Sequence, residues 1–203
     1  MSEDTPVQSH FFAYLSRMKY IHRWGLMRNT RDENVQEHSL QVAMIAHGLA
    51  VIGNRIFGEE NDPGAIVLVA LYHDASEIIT GDLPTPIKYF DPSITEAYKA
   101  LESQAERKLS GLLPEPLQED FARVMETRRV DPAILSVVKA ADSLAGYLKC
   151  VEEESAGNGE FRRAREYLAR KLDDMEATVP AVRYFRDHFI ESFKLTLDDL
   201  SHQ

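Results

Sequence analysis

The sequence predicts one all-α domain, and three observations carry that reading. Apolar residues recur at helical spacing along almost the whole chain of 203 residues. Helix-start signals punctuate it: Asn34 three positions before Glu37, Asp62 before Pro63, and Asp131 before Pro132. No run alternates apolar and polar residues for long enough to build a sheet. This length suits a single domain with a substantial core, and no repeat, low-complexity tract or linker divides residues 1–203.

The elements follow in order. Ser9 caps a helix expected to run to about Trp24, with Phe11, Phe12, Leu15, Met18 and Ile21 on one side, and Gly25 breaks it. Asn34 and Glu37 read as a capping box opening the strongest helix, whose apolar face is expected to hold Val35, Leu40, Ala43, Met44, Ala46, His47, Ala50 and Val51. Asp62-Pro63 starts a helix with Ile66, Leu68, Val69, Leu71 and Tyr72. Three prolines and one glycine within residues 81–92 predict a loop. A helix over about 93–112 and a shorter one after Pro114 come next. Asp131-Pro132 starts a long helix stopped by Gly157, then "FRRAREYLARKLDDME" forms another, and Pro180 begins the last substantial one.

Composition narrows the function. Hydrophobic residues make up 44% and the formal net charge is −10, so the chain is globular and repels nucleic acid at long range. Residues 17–31, "RMKYIHRWGLMRNTR", run against this trend, with four arginines, one lysine and one histidine and no acidic residue. Tyr20 and Trp24 among them favour a local anion-binding role over a merely solvated face. The single cysteine, Cys150, excludes an internal disulfide framework and a Cys-rich zinc module, and suits a reducing compartment. "MSEDTPVQSHFF" lacks the basic and apolar regions of a signal peptide. No uncharged apolar stretch approaches the ~20 residues that cross a bilayer. The expectation is a cytoplasmic protein without nucleic-acid or membrane partners.

The chemistry gathers on three of these helices. In "ALYHDASEIITGDLPTPIK", residues 70–88, His73 and Asp74 end an apolar run. His38 falls in the first turn of the Asn34 helix. Asp142 sits mid-helix among Val137, Val138, Ala140, Ala141, Leu144 and Ala145. A carboxylate on an apolar face is costly unless it is paired, hydrogen-bonded or bound to metal. Taken singly, His38 reads as a capping residue and Asp142 as a helix-to-loop hydrogen-bonder. Together they give two imidazoles and two carboxylates, a set suited to divalent Mn, Co, Ni, Fe or Zn with positions left for water. Glu77, four residues after His73, is expected on the same helical face, within reach of that water. His47 lies nine residues after His38, roughly 13 Å along a helix, too far to share the metal. It reads as a core histidine or one just outside the ligand set. His10, His22, His188 and His202 have no partner pattern. No histidine lies between Asp74 and Asp142, so one metal is expected.

The order His38…His73-Asp74…Asp142 on a helical chain resembles the HD-domain metal-dependent phosphohydrolases. "SHFFAYLSRMKYIHRWGLMRN", "NVQEHSLQVAMIAH", "YHDASEIITGDLPTPIKYF", "VKAADSLAGYLKC" and "AGNGEF" are similar to the bacterial 5′-deoxynucleotidases of the YfbR type, from about Ser9 to the last helix. The resemblance implies a single helical HD-domain fold, a homodimer, and hydrolysis of a deoxyribonucleoside 5′-monophosphate to deoxynucleoside and phosphate. It implies that His38, His73, Asp74 and Asp142 hold one divalent metal ion (Co2+, Mn2+ or similar). Glu77 would activate water and Arg23 would orient the phosphate. Trp24 would disfavour a 2′-hydroxyl, while Asp82, Thr85, Pro86, Ile87, Lys88 and Asp142 would contact the nucleotide. Two rivals are another HD-domain nucleotide or alarmone phosphohydrolase, and a non-catalytic helical regulator with a structural metal.

Overall fold

In the computed structural model, which describes residues 8–88 and 90–201, the helix starts expected at Asn34, Asp62 and Asp131 are built by capping side chains, whereas the first helix has His10 and not Ser9 at its N-cap, with no side-chain cap. Asn34 Oδ1 accepts the Glu37 backbone N–H at 3.0 Å, and Asp62 accepts those of Gly64 and Ala65. Asp91 accepts that of Ser93 and Asp131 that of Ala133. Each such cap is worth about 1 kcal/mol. The caps open α2 (Val35–Ile52), α3 (Pro63–Tyr72), α6 (Pro92–Ser110) and α8 (Pro132–Ser155). The other helices are α1 (Phe11–Leu15), α4 (Glu77–Thr80), α5 (Thr85–Lys88), α7 (Glu115–Met125), α9 (Arg162–Met175), α10 (Ala181–Phe189) and α11 (Leu197–Leu200). No strand occurs among the described residues; one antiparallel bridge joins His22 to Asn34.

α2, α3 and α8 form the centre. Their facing sides are rich in small and branched residues: Val42, Ala46 and Leu49 meet Ile66, Val69 and Ala70 of α3 and Ala141, Leu144, Ala145 and Leu148 of α8. Alanines at these contacts let helix axes approach closely. α9 packs on α8 through Leu172, and α10 covers α2. A smaller cluster around Phe11, Leu109, Leu113 and Met125 ties α1 to α6 and α7, with the Phe11 and Phe121 rings edge to face at 5.0 Å. The run Val35–Phe57 is long and apolar enough by composition to cross a membrane. Here it includes the central helix, which has Val42, Ala46 and Leu49 buried between α3 and α8.

Four further expectations need correction. The first helix does not reach Trp24: α1 gives way to a 3-10 turn, Ser16–Tyr20, and Ile21 is extended. The Arg23 and Val35 N–H groups bond to the carbonyls of Glu33 and Ile21 at 2.9 and 3.0 Å, so partners distant in sequence take residues 21–23 out of the helix. Trp24 has φ 58°, a left-handed conformation that few non-glycine residues adopt. On α2, Leu40, Met44, His47 and Val51 are exposed. The buried face runs instead through Val35, His38, Ser39, Val42, Ala46 and Leu49, because two apolar stripes compete there and the packed one carries the polar His38. α3 stops at Tyr72, so His73 and Glu77 do not share a helix; residues 73–76 form a turn that re-aims the chain. The loop after Gly81 holds the short helix α5. His202 and residues 1–7, which include most of the segment read for a signal peptide, lie outside the described residues.

Candidate metal centre and nucleotide cavity

The capped start of α2 places His38 on the buried face, fully inaccessible. The end of α3 brings His73 and Asp74 to it. His38, His73 and Asp74 each offer one ligand atom within 4.8 Å of the others. Asp74 Oδ2 lies 3.2 Å from His73 Nε2 and 3.7 Å from His38 Nε2. From the middle of α8, Asp142 Oδ1 reaches His38 Nε2 at 3.1 Å. The Asp142 side chain is 36% exposed, so it faces open space beside the trio and not the core that its apolar neighbours suggest. All four residues read from the sequence therefore meet, three tightly and one at the edge.

The tautomer of His73 follows from its neighbour. Its Nδ1 lies 2.7 Å from the Ala70 carbonyl, an acceptor only, so Nδ1 carries the proton. The Nε2 atom, buried and without a hydrogen-bond partner, points into the cluster. Two imidazole nitrogens and two carboxylates, with a buried unpartnered nitrogen among them, fit a divalent cation.

Charge is dense here. Burial opposes ionisation of Asp74, but His73 and Arg23 overcome it and hold its pKa at about 2. Asp142 is held well below the carboxylate range against burial, by its hydrogen bond to His38 and the nearby cationic groups. Burial lowers His73, yet the Asp74 carboxylate raises it to about 9. Glu77, at the start of α4, behaves oppositely: burial, then the charges of Asp74 and Asp82, push it up to about 10. Its Oε2 is buried without a partner.

Arg23 joins this cluster to a cavity of about 660 Å³. Its Nη1 lies 3.3 Å from Asp74 Oδ2. The cavity is lined by residues 23–27, by residues 82–86, and by Arg163, Ala164, Tyr167 and Leu168 of α9. Trp24, Asp82, Thr85 and Pro86 thus share one wall system. Ile87 is 44% exposed and not part of the lining. Lys88 bonds Glu102 at 2.8 Å and covers the Tyr98 ring, while its charge still reaches Glu77 and Asp82.

Two features escaped the sequence reading. Glu33 bonds both Arg23 and Trp24, yet in "TRDENVQEH" it looks like any loop carboxylate. The α9 face of the cavity gave no signal, since Arg163 and Tyr167 fall on an ordinary charged amphipathic helix.

Known proteins are similar to this chain. The family model described as 5′-deoxynucleotidase YfbR-like matches residues 10–193. A 5′-deoxynucleotidase of Cronobacter sakazakii is 53% identical over 194 residues, covering 96% of each chain. One of Vibrio cholerae is 51% identical, covering 96% of this chain and 99% of its own. Among solved structures, an HD-domain phosphohydrolase from Listeria innocua superposes with TM-score 0.79 at 21% identity, over 91% of this chain and 88% of that one. The HD phosphohydrolase of cyanophage S-2L, bound to dA and one catalytic Zn2+ ion, gives TM-score 0.63 at 21% identity, over 89% and 96%.

Proposed function

The chain belongs to the YfbR-like 5′-deoxynucleotidase family, and from that premise we propose that it hydrolyses deoxyribonucleoside 5′-monophosphates to deoxynucleoside and inorganic phosphate with one divalent cation. The observation that carries the reading is Arg23, which touches Asp74 at 3.3 Å and lines the cavity. A phosphate held by Arg23 lies against the His/Asp cluster, with the nucleoside in the adjoining space. The dA and single Zn2+ of the cyanophage protein support the same ligand classes on this fold.

His38, His73, Asp74 and Asp142 would hold the cation, which supplies charge against the phosphate dianion and lowers the pKa of water. The planar fork of Arg23 matches phosphate oxygens. Water attacks phosphorus, a new P–O bond forms, and the bond to the 5′-oxygen breaks. Glu77 takes the water's proton, and the departing 5′-oxygen takes a proton from solvent to give the nucleoside. With its pKa near 10 in the protein alone, Glu77 is neutral at pH 7, so its base form depends on a nearby cation to reverse the local field. Asp82, Thr85 and Pro86 border the nucleoside, with Ile87 and Lys88 at the loop's outer end.

Cobalt or manganese is the proposed metal, since the mixed nitrogen and oxygen set is neither thiolate-soft nor all-oxygen. A reducing, cytoplasmic setting is consistent with the buried free Cys150. A homodimer is proposed on the exposed stripe of α2, where Leu40 is 54% and Met44 61% accessible.

The test is phosphate release from a panel of deoxy- and ribonucleoside mono-, di- and triphosphates by metal-stripped protein with each divalent ion restored in turn. Preferred hydrolysis of deoxy monophosphates bears the reading out. Absence of phosphate release from them with every metal sinks it.

A further inference from the structure

We propose that Glu33 is the positioning residue of this site, a single carboxylate that sets Trp24 and Arg23 together and places its charge behind His38. The inference rests on the reading above and deepens it. The bridge between His22 and Asn34, with Arg23 N–H on the Glu33 carbonyl, lays residues 21–23 beside residues 33–35. That pairing brings three functional side chains around one acid. Glu33 Oε2 accepts the indole N–H of Trp24 at 3.0 Å and the Nε–H of Arg23 at 3.2 Å. Oε1 faces Nδ1 of His38 at 3.9 Å. The Glu33 side chain is only 11% exposed, so these interactions are little screened.

Each contact has a separate consequence. Trp24 sits at φ 58°, a conformation that persists only when its surroundings over-determine it. Its carbonyl accepts the Met27 N–H at 2.8 Å, and its indole is anchored by Glu33. Because the one indole donor is used there, the ring offers the cavity carbon edge and face only. Arg23 is gripped between Glu33 and Asp74, which leaves its remaining N–H groups to fork toward an anion. Behind His38, the Glu33 charge stands 3.9 Å from Nδ1, on the side of the ring opposite the Nε2 that meets Asp142 at 3.1 Å.

The experiment uses Glu33→Ala and Glu33→Gln in the full chain. Trp24 is the sole tryptophan, so intrinsic emission reports its setting without turnover. Emission is read on metal-stripped protein, Mn2+ affinity by calorimetry, and kcat and KM for dAMP and AMP separately. In Glu33→Ala, emission shifts to the red, the dAMP-to-AMP ratio of kcat/KM falls about tenfold, and Mn2+ binds about 10–100-fold more weakly. Glutamine keeps an acceptor for the indole but loses the charge. Glu33→Gln therefore holds emission and the ratio near wild type, while KM rises and Mn2+ affinity falls. Wild-type emission, ratio and affinity in Glu33→Ala overturn the proposal, as does an equal loss of ratio in both variants. If the alanine variant does not fold, wild-type KM and Mn2+ affinity in Glu33→Gln overturn it alone. Failure of the wild-type protein to release phosphate would count against the enzymatic reading, while emission and metal affinity still judge Glu33.

Discussion

The Nδ1–H of His73 is donated to the Ala70 carbonyl at 2.7 Å, so any second proton on this ring sits on Nε2, the atom that would ligate metal. In the protein alone, the Asp74 charge outweighs burial and holds the His73 pKa at about 9. A cation must then displace that proton at neutral pH. Metal affinity should rise close to tenfold per pH unit between about 6.5 and 8.5, with proton release seen by calorimetry in buffers of different ionisation enthalpy. A flat affinity over that range would contradict the ligand role of Nε2.

Asp74 and Asp142 should not be equivalent. Asp74 belongs to the tight trio and also holds Arg23, whereas Asp142 stands at its edge. Asp74→Ala should abolish metal-dependent phosphatase activity and raise the Kd for nucleotide as well. Asp142→Ala should weaken metal binding less and leave nucleotide affinity in the stripped protein nearer to wild type. Circular dichroism should show helices in both. Full activity of stripped Asp74→Ala protein would end the metal mechanism.

Glu77→Gln separates chemistry from binding. The carboxyl is pushed up to about 10 by burial and by Asp74 and Asp82, so below that pH the amide closely imitates the protonated acid. A carboxyl whose folded pKa is raised destabilises the fold increasingly as pH rises above about 4.3, its unfolded value. Without metal, the variant should therefore melt at or above the wild-type temperature at pH 8. Turnover should fall roughly 10²–10⁴-fold, with metal and nucleotide affinity kept. Lost metal affinity would make Glu77 a ligand instead.

The parts of this site legible in the sequence were those encoded locally. Asn34, Asp62 and Asp131 announce their helices because a cap acts within three residues. His38, His73-Asp74 and Asp142 stand out because polar groups interrupt apolar helices. The end of the first helix was misread because Ile21 and Arg23 bond to residues 35 and 33, a pairing no local window contains. The α2 face was misread for a related reason: Leu40 and Met44 are as apolar as Val42 and Leu49, and only packing chooses between the stripes. Glu33 was invisible because a loop glutamate acquires its partners from the fold.

Glu153 anchors the segment that follows Trp24. Its carboxylate, 1% exposed, accepts the Thr30 N–H and hydroxyl and the Asn158 amide, and pairs with Lys149. Burial opposes its charge, but Lys149 and these donors hold its pKa at about 2. The folded value lies below the unfolded one, so this contribution is full above about pH 4.5 and lost as pH falls toward 2. It amounts to about 3 kcal/mol. Urea midpoints followed from pH 5 to pH 2.5 should drop more steeply for wild type than for Glu153→Gln. Parallel curves would remove the assignment.

Trp24 decides sugar selectivity in this reading. Its ring rests on Phe161, centroids 5.4 Å apart, and lines the cavity directly after Arg23. If Arg23 holds the 5′-phosphate, the adjoining sugar lies within reach of the indole. The indole N–H is already donated to Glu33 at 3.0 Å, so the wall presented to C2′ neither donates nor accepts a hydrogen bond. A 2′-hydroxyl pressed against it loses water without compensation, a cost of about 1–3 kcal/mol on protein mutational scales. Trp24→Ala should therefore narrow the kcat/KM gap between dAMP and AMP by roughly tenfold or more, mainly through faster AMP hydrolysis. The competing role, an anchor between residues 23–27 and α9, predicts a lower melting temperature with an unchanged ratio. Because Trp24 also packs on Phe161, some loss of stability is expected in either case. The ratio is the discriminating quantity: an unaltered dAMP preference in a folded Trp24→Ala protein assigns discrimination elsewhere on the cavity wall.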